Sequence, residues 1–200
     1  KNGGVFIADE VQPGFARTGQ AFFGFARHGI VPDMITMGKP MGNGIPISGL
    51  AAKEDVLAAF SDKLPYFNTF GGNPVSIAAA QAVLKYIKDE NLQEHCKKAG
   101  AALLKALKEV QERHPESVGD VRGAGLFLGF EFVKNDGNKT PDKDMALNVI
   151  EMLRDEHILT SVIGHYGNIL KLRPPMVFSE NDIDWFATSL DKCITKLENK

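Results

Sequence analysis

Two apolar runs, each ending in a charged residue, constrain this chain most. Val5-Phe6-Ile7-Ala8 leads into Asp9, and Asp33-Met34-Ile35-Thr36-Met37-Gly38 leads into Lys39. Runs this short and rich in β-branched residues read as buried strands over residues 3–8 and 33–38. Residues 45–52, Ile45-Pro46-Ile47-Ser48-Gly49-Leu50-Ala51-Ala52, read as a third strand, with glycine and proline punctuating the loops between them. A carboxylate and an amine, each carried to the end of a buried strand, are groups from which a cofactor site is built.

Helical spacing takes over downstream. Asn73-Pro74 reads as an N-cap followed by proline at the first helical position. The helix it opens carries Ile77, Ala78, Val83, Leu84 and Ile87 to about Asp89. A second helix follows Asn91. Its Leu92, Cys96, Ala99, Leu103, Leu107 and Val110 recur every three or four residues and form one apolar stripe, backed by a solvated Lys/Glu face. From about Pro115 the character changes: Gly123 to Phe132 alternates as in a strand after a glycine turn, and Lys134 to Lys139 reads as a loop. Thr140-Pro141 is expected to cap a helix with Met145, Val149, Ile150 and Leu153 inward. Ile169 to Arg173 reads as a strand closed by Pro174-Pro175. Ser179 is expected to cap a last helix that buries Ile183, Phe186, Leu190, Ile194 and Leu197. The order strand, helix, strand, helix after a long helix predicts an α/β architecture with a compact small domain.

Bulk properties narrow the function. A hydrophobic content of 44% supports a real core, and a net charge of −2 leaves no basic footprint for nucleic acid or an anionic membrane. No apolar run is long enough to span a bilayer. Cys96 and Cys193 fall at apolar helix positions, where a buried free thiol is expected, and this usage fits a reducing cytoplasm. His28, His95, His114, His157 and His165 show no ligand spacing with cysteines or acids, so no metal site is expected. A nucleotide-binding phosphate loop is excluded at Gly38-Lys39, because Pro40 follows where Ser or Thr is needed.

Three blocks carry a family resemblance. Asp9-Glu10-Val11-Gln12-Pro13-Gly14-Phe15-Ala16-Arg17-Thr18-Gly19 resembles the signature of class III (fold type I) pyridoxal-phosphate aminotransferases. Met37-Gly38-Lys39-Pro40-Met41-Gly42-Asn43-Gly44-Ile45-Pro46 is similar to that family's lysine segment. Asn68-Thr69-Phe70-Gly71-Gly72-Asn73-Pro74 is similar to its downstream phosphate-contact segment, and the three occur in the family's order. The resemblance implies pyridoxal 5'-phosphate as cofactor and a fold type I α/β scaffold. It implies that residues 1–90 are the C-terminal part of a large cofactor-binding domain, 91–114 a connecting helix and 115–200 a small C-terminal domain. Family members are longer, so the remaining phosphate loop and the aromatic that stacks on the ring are expected upstream of this segment.

The same resemblance implies roles. Asp9 would pair with the pyridine nitrogen, Val11 would lie against the ring, and Gln12 would donate to the phenolic oxygen. Lys39 would form the Schiff base and shuttle the proton. Thr69 would reach the phosphate of a neighbouring subunit's cofactor, which implies a homodimer with shared sites. Many family members place an arginine at the position of Lys171 to clamp a substrate carboxylate. Here the clamp is Lys171, Arg173 two residues on, or neither, and a lysine offers a point charge without the guanidinium fork. Arg122, Gly123 and Gly125 match a small-domain pattern, with the glycines read as turn geometry.

The leading expectation is an aminotransferase that moves an amino group from an amine or ω-amino acid to a keto acid. The string Leu170-Lys171-Leu172-Arg173-Pro174-Pro175-Met176, taken with the lysine segment, looks closer to the branch holding ethanolamine-phosphate phospho-lyases. That makes elimination from a phosphorylated amine the alternative. A third reading, of another class, is an inactive piece or interaction domain that keeps the motifs as scaffold.

Overall fold

The computed structural model describes residues 3–199. They form a mixed α/β structure of two compact units that divide after Glu94.

The first unit is built on three strands, β1 (Ile7–Asp9), β2 (Met34–Met37) and β3 (Gly49–Ala52), in the order β1-β2-β3. β1 runs parallel to β2, with Ala8 opposite Ile35 and Asp9 opposite Thr36, and β3 is antiparallel to β2. The strands are shorter than the runs suggested. Ahead of β1, Phe6 donates its amide to the Asp33 carboxylate at 2.8 Å, and its carbonyl accepts from Asp33 and Met34, so this segment is tied through Asp33. Ahead of β3, Pro46 has no amide to offer a ladder, and Ile45 closes a turn onto Gly42. Val5, Phe6 and Ile7, expected inside, are about half exposed, and only Ala8 of this run is buried. Lys53 at 2.7 Å and the Phe6 amide hold the Asp33 carboxyl below the usual carboxylate range, which fixes the start of β2.

Two helices complete this unit. α1 (Glu54–Ser61) has no distinct sequence signal, and its acidic first turn suits the helix dipole. α2 (Pro74–Asp89) starts as read, with the Asn73 side chain accepting from the Ser76 amide. Its apolar residues are not all inward: Ile87 is buried, while Val75, Ile77, Leu84 and Tyr86 are exposed.

The second unit is a four-stranded antiparallel sheet packed with helices. α3 (Leu92–Arg113) precedes β4 (Val118–Ala124), β5 (Phe127–Phe132), α4 (Lys143–Asp155), β6 (Ser161–Ile163), β7 (Ile169–Leu172) and α5 (Glu180–Glu198). The sheet order is β4-β5-β7-β6. Every residue of the α3 stripe is buried, with Cys96, Leu107 and Val110 wholly so. Strand alternation turns Leu128, Phe130 and Phe132 to the same core. There they meet Val149 and Leu153 of α4, Leu170 of β7, and Leu190 and Ile194 of α5. Cys96 and Cys193 are both buried, and burial pushes the Cys193 thiol up, which leaves it inert.

Two local readings need correction. Residues 123–132 span a hairpin turn, since Gly123 and Ala124 end β4, which pairs antiparallel with β5 and has a register shift between Val118 and Asp120. The cap of α4 is Asp142, whose side chain accepts from the Met145 amide at 2.9 Å. Thr140 and Pro141 stay extended because the Thr140 carbonyl pairs with Lys134 and Pro141 bridges Val133. The last helix starts as read, with a reciprocal capping box between Ser179 and Asp182.

Gly100 decides how closely α3 meets the hairpin. A Cβ there would stand 2.3 Å from the backbone of Gly125, which itself has φ of 53°. Alanine in place of a helical glycine is worth about 1 kcal/mol in propensity, but forcing two backbones apart in a packed core costs about 1–3 kcal/mol. Gly100→Ala is therefore expected to destabilise the protein despite its better helix propensity. Urea denaturation with a raised midpoint would overturn this account.

Candidate active site

The parallel ladder brings the first site residues together. Asp9 ends β1 exposed, and its in-register neighbour Thr36 donates its hydroxyl to Asp9 Oδ1 at 3.3 Å. The Val11 amide donates to the same oxygen at 3.1 Å, turning the chain at the strand end. Lys39 lies three residues beyond Thr36, exposed, at the start of a 3₁₀ turn, Lys39–Gly42. The two segments approach one another: a Cβ on Gly38 would sit 3.7 Å from Val11 Cγ2. Carboxylate, amine and an apolar side chain thus share the strand-end region of one sheet.

The surrounding loops are held by specific contacts. Gly42 leaves room for Ile47, whose Cγ2 would be 2.9 Å from an added Cβ. α2 packs on the Lys39–Gly42 turn, and Ser76 Oγ donates to the Pro46 carbonyl at 3.0 Å, tying the helix start to the lysine segment. Just ahead of α2, Asn68 Oδ1 accepts from the amides of Phe70 and Gly71, both at 3.0 Å, and Gly72 turns with φ of 71°. Thr69 lies exposed within this turn.

Gln12 is half-buried, and its Oε1 is sealed from solvent with no hydrogen-bond partner among the described residues. A buried amide oxygen without a partner costs free energy. Turning the amide end for end keeps its shape and presents the donor instead.

Lys171 and Arg173 belong to the second unit. Lys171 is half-buried on β7, opposite Gly129 of β5 and Ser161 of β6. It borders a cavity of about 540 Å³ shared with Arg173, Pro174, Phe178 and Trp185. The Arg173 guanidinium lies 5.2 Å from the centre of the Phe127 ring, a cation–π distance. Arg122 is engaged by Asp120 at 2.7 Å and Glu131 at 2.6 Å, which raise its pKa and leave it a surface ion-pair residue.

Residues 1–194 match the family described as Aminotransferase class-III. The chain belongs to that family. It is 44% identical to ethanolamine-phosphate phospho-lyase homolog 1 of Caenorhabditis elegans over 197 residues, 97% of this chain and 42% of the relative. It is 41% identical to alanine–glyoxylate aminotransferase 2 homolog 2, mitochondrial, of Arabidopsis thaliana, across 98% of this chain and 41% of the relative. Among solved structures it superposes on a phospholyase from Arthrobacter in complex with phosphoethanolamine, with a TM-score of 0.92 and 39% identity over 96% of this chain and 46% of that one. A transaminase from the marine bacterium Virgibacillus gives a TM-score of 0.89 and 31% identity over 98% and 46%. The chain thus has the fold of pyridoxal-phosphate-dependent transaminases and spans about two fifths of the length of the curated relatives it matches. Members of this family and its phospho-lyase neighbours depend on pyridoxal 5'-phosphate.

The donor set present fits that cofactor. It has one exposed carboxylate for a protonated ring nitrogen, one exposed amine for an aldehyde, and an apolar side chain close to the amine's turn. Gln12 adds an amide with a buried atom still to be satisfied. Sequence reasoning did not single out Thr36, whose signal was its place in β2 opposite Asp9. It also left Glu10 without a role, although alternation places Glu10 on the sheet face opposite Asp9.

Proposed function

We propose that the protein is a pyridoxal-phosphate-dependent enzyme acting on a small primary amine, with Lys39 and Asp9 as its catalytic residues. The observation that carries this reading is the register of β1 on β2, which sets the Asp9 carboxylate beside Thr36, itself three residues before Lys39. Bound here, the cofactor would supply a ring that takes up electron density when a bond at the amine carbon breaks.

The chain's own residues would do the rest. The Lys39 amine would hold the cofactor aldehyde and, once freed by the substrate amine, would take and return the proton at the substrate carbon. The Asp9 carboxylate, its Oδ1 fixed by Thr36 and the Val11 amide, would keep the ring nitrogen protonated. Val11 would lie against the ring, and Gln12 would donate to the phenolic oxygen. Thr69 offers its hydroxyl to a cofactor phosphate of a second copy, making the working form a homodimer. The exposed Tyr66, Phe67 and Phe70 around Thr69 suit a protein interface. Two buried cysteines at apolar helix positions support a cytoplasmic setting.

Elimination of phosphate from a phosphorylated amine such as ethanolamine phosphate, with water then releasing ammonia and leaving an aldehyde, is the reaction supported best. Lys171 stands where the family resemblance expects a carboxylate-clamping arginine, so that fork is replaced by a point charge, and the phospho-lyase likenesses agree in direction. Amino transfer to a keto acid is the second reading. It draws on the Arabidopsis relative and on Arg173, a guanidinium at the same cavity as Lys171.

Borohydride reduction of the protein with pyridoxal phosphate, followed by peptide mapping, is expected to place a phosphopyridoxyl group on Lys39 and nowhere else. Lys39→Ala should remove both adduct and turnover while keeping the fold, and turnover at the wild-type rate would sink the assignment. Asp9→Asn should still take up cofactor but react at least about a hundredfold more slowly, because a neutral amide no longer enforces ring protonation. An unchanged rate would remove Asp9 from the mechanism. With ethanolamine phosphate and no keto acid, phosphate and ammonia should be released over many turnovers. Arrest after one turnover, relieved by a keto acid, would favour amino transfer.

A further inference from the structure

Glu10 follows Asp9 directly but points into the protein, where it is 2% exposed. Its Oε2 accepts from the Gly24 amide at 2.7 Å and its Oε1 from the Phe25 amide at 2.8 Å. These are the first two amides of the 3₁₀ turn Gly24–His28, whose own N-cap, Phe23, provides no side-chain cap. A carboxylate from fourteen residues upstream therefore satisfies donors the local sequence leaves orphaned. The fit is close on both sides. A Cβ on Gly24 would stand 2.8 Å from Pro13 Cβ and 3.3 Å from Glu10 Oε2, and one on Gly14 would stand 2.6 Å from the Glu10 carbonyl.

The loop closed by this contact begins with Val11 and Gln12. It contains Phe15 and Ala16 at φ of 58° and 67°, a region that costs a non-glycine residue of order 1–3 kcal/mol. Both are buried, Phe15 packs on Phe22 and Phe23, and the Ala16 amide donates to the Phe22 carbonyl at 2.9 Å. A strained conformation persists only where its surroundings over-determine it.

We propose that Glu10 is a positioning residue: its buried carboxylate clamps the 11–25 loop and so sets where Val11 and Gln12 meet the cofactor. This rests on the cofactor assignment above. Asp9 and Glu10 then divide one task, the first facing the ring and the second holding the loop that frames it. Because both carboxylate oxygens are used, the neutral isostere glutamine fails: its amino end cannot accept, and one buried amide loses its partner.

The test compares wild type with Glu10→Gln by hydrogen exchange of the cofactor-free protein, by pyridoxal-phosphate titration and by the visible absorption band of the bound cofactor. Faster exchange is expected in the peptide covering residues 11–25, with cofactor bound roughly ten- to a hundredfold more weakly and its band moved. Faster exchange with affinity and band unchanged would make Glu10 merely structural, and unchanged exchange would remove the clamp altogether. Should Glu10→Gln fail to fold, Gly24→Ala displaces the donor instead of the acceptor and is expected to give the same three changes. If neither variant folds, Glu10 serves stability alone and the proposal falls. A wild-type protein without a Lys39 adduct would defeat the cofactor assignment itself, and with it the positioning role. A wild-type adduct with unaltered variant affinity would defeat only the clamp.

Discussion

The parallel pairing of β1 with β2 is the constraint on which the first unit depends. Side chains alternate along a strand, so a slip of one residue would exchange the fates of Asp9 and Glu10. In the observed register Asp9 stands exposed beside Thr36, and Glu10 enters the interior to meet two backbone amides. Asp33 guards that register: its carboxylate takes the Phe6 amide and the Lys53 ammonium, joining the approach to β1, the start of β2 and the residue after β3. Three carboxylates with three different surroundings, Asp9 exposed, Glu10 buried on backbone amides and Asp33 bridging strand ends, thus sit within one small sheet.

The second unit is held differently. Its stability comes from apolar burial by α3, α4 and α5 against an antiparallel sheet, with Phe130 and Phe132 at the centre and ring centroids 5.3 Å apart. Backbone contact between Gly100 and Gly125 lets α3 sit close to the hairpin. Polar contacts act at its margin. Buried His114 meets Glu198 at 2.7 Å and Asp191 at 3.1 Å. Burial alone would push Asp191 up, but Arg113 and His114 outweigh it and hold the carboxyl below its ordinary range. These contacts join the end of α3 to α5.

Legibility followed the length and regularity of each pattern. The α3 stripe from Leu92 to Val110 and the inward set of α5 were readable because many residues repeat one period, and a period survives any tertiary context. The caps at Asn73 and Ser179 were readable because capping is local chemistry. β4 and β6 were not. β4 is mostly polar and glycine, β6 is a three-residue strand at the sheet edge, and both are defined by partners distant in sequence. Asp142 displaced Thr140 as a cap because pairing beside the end of β5 holds residues 140–141 extended.

By itself the sequence determined the family, through three ordered motif blocks, and the helices, through their periodicity. It also named Asp9 and Lys39 as charges at the ends of apolar runs. Only the tertiary structure decided that Thr36 supports Asp9, that Val11 reaches the Lys39 turn, and that Glu10 is bound to Gly24 and Phe25. The reason is physical. Motifs and periods are properties of neighbouring residues, whereas these contacts join segments 14 to 27 residues apart, and strand register and loop packing alone fix which atoms meet.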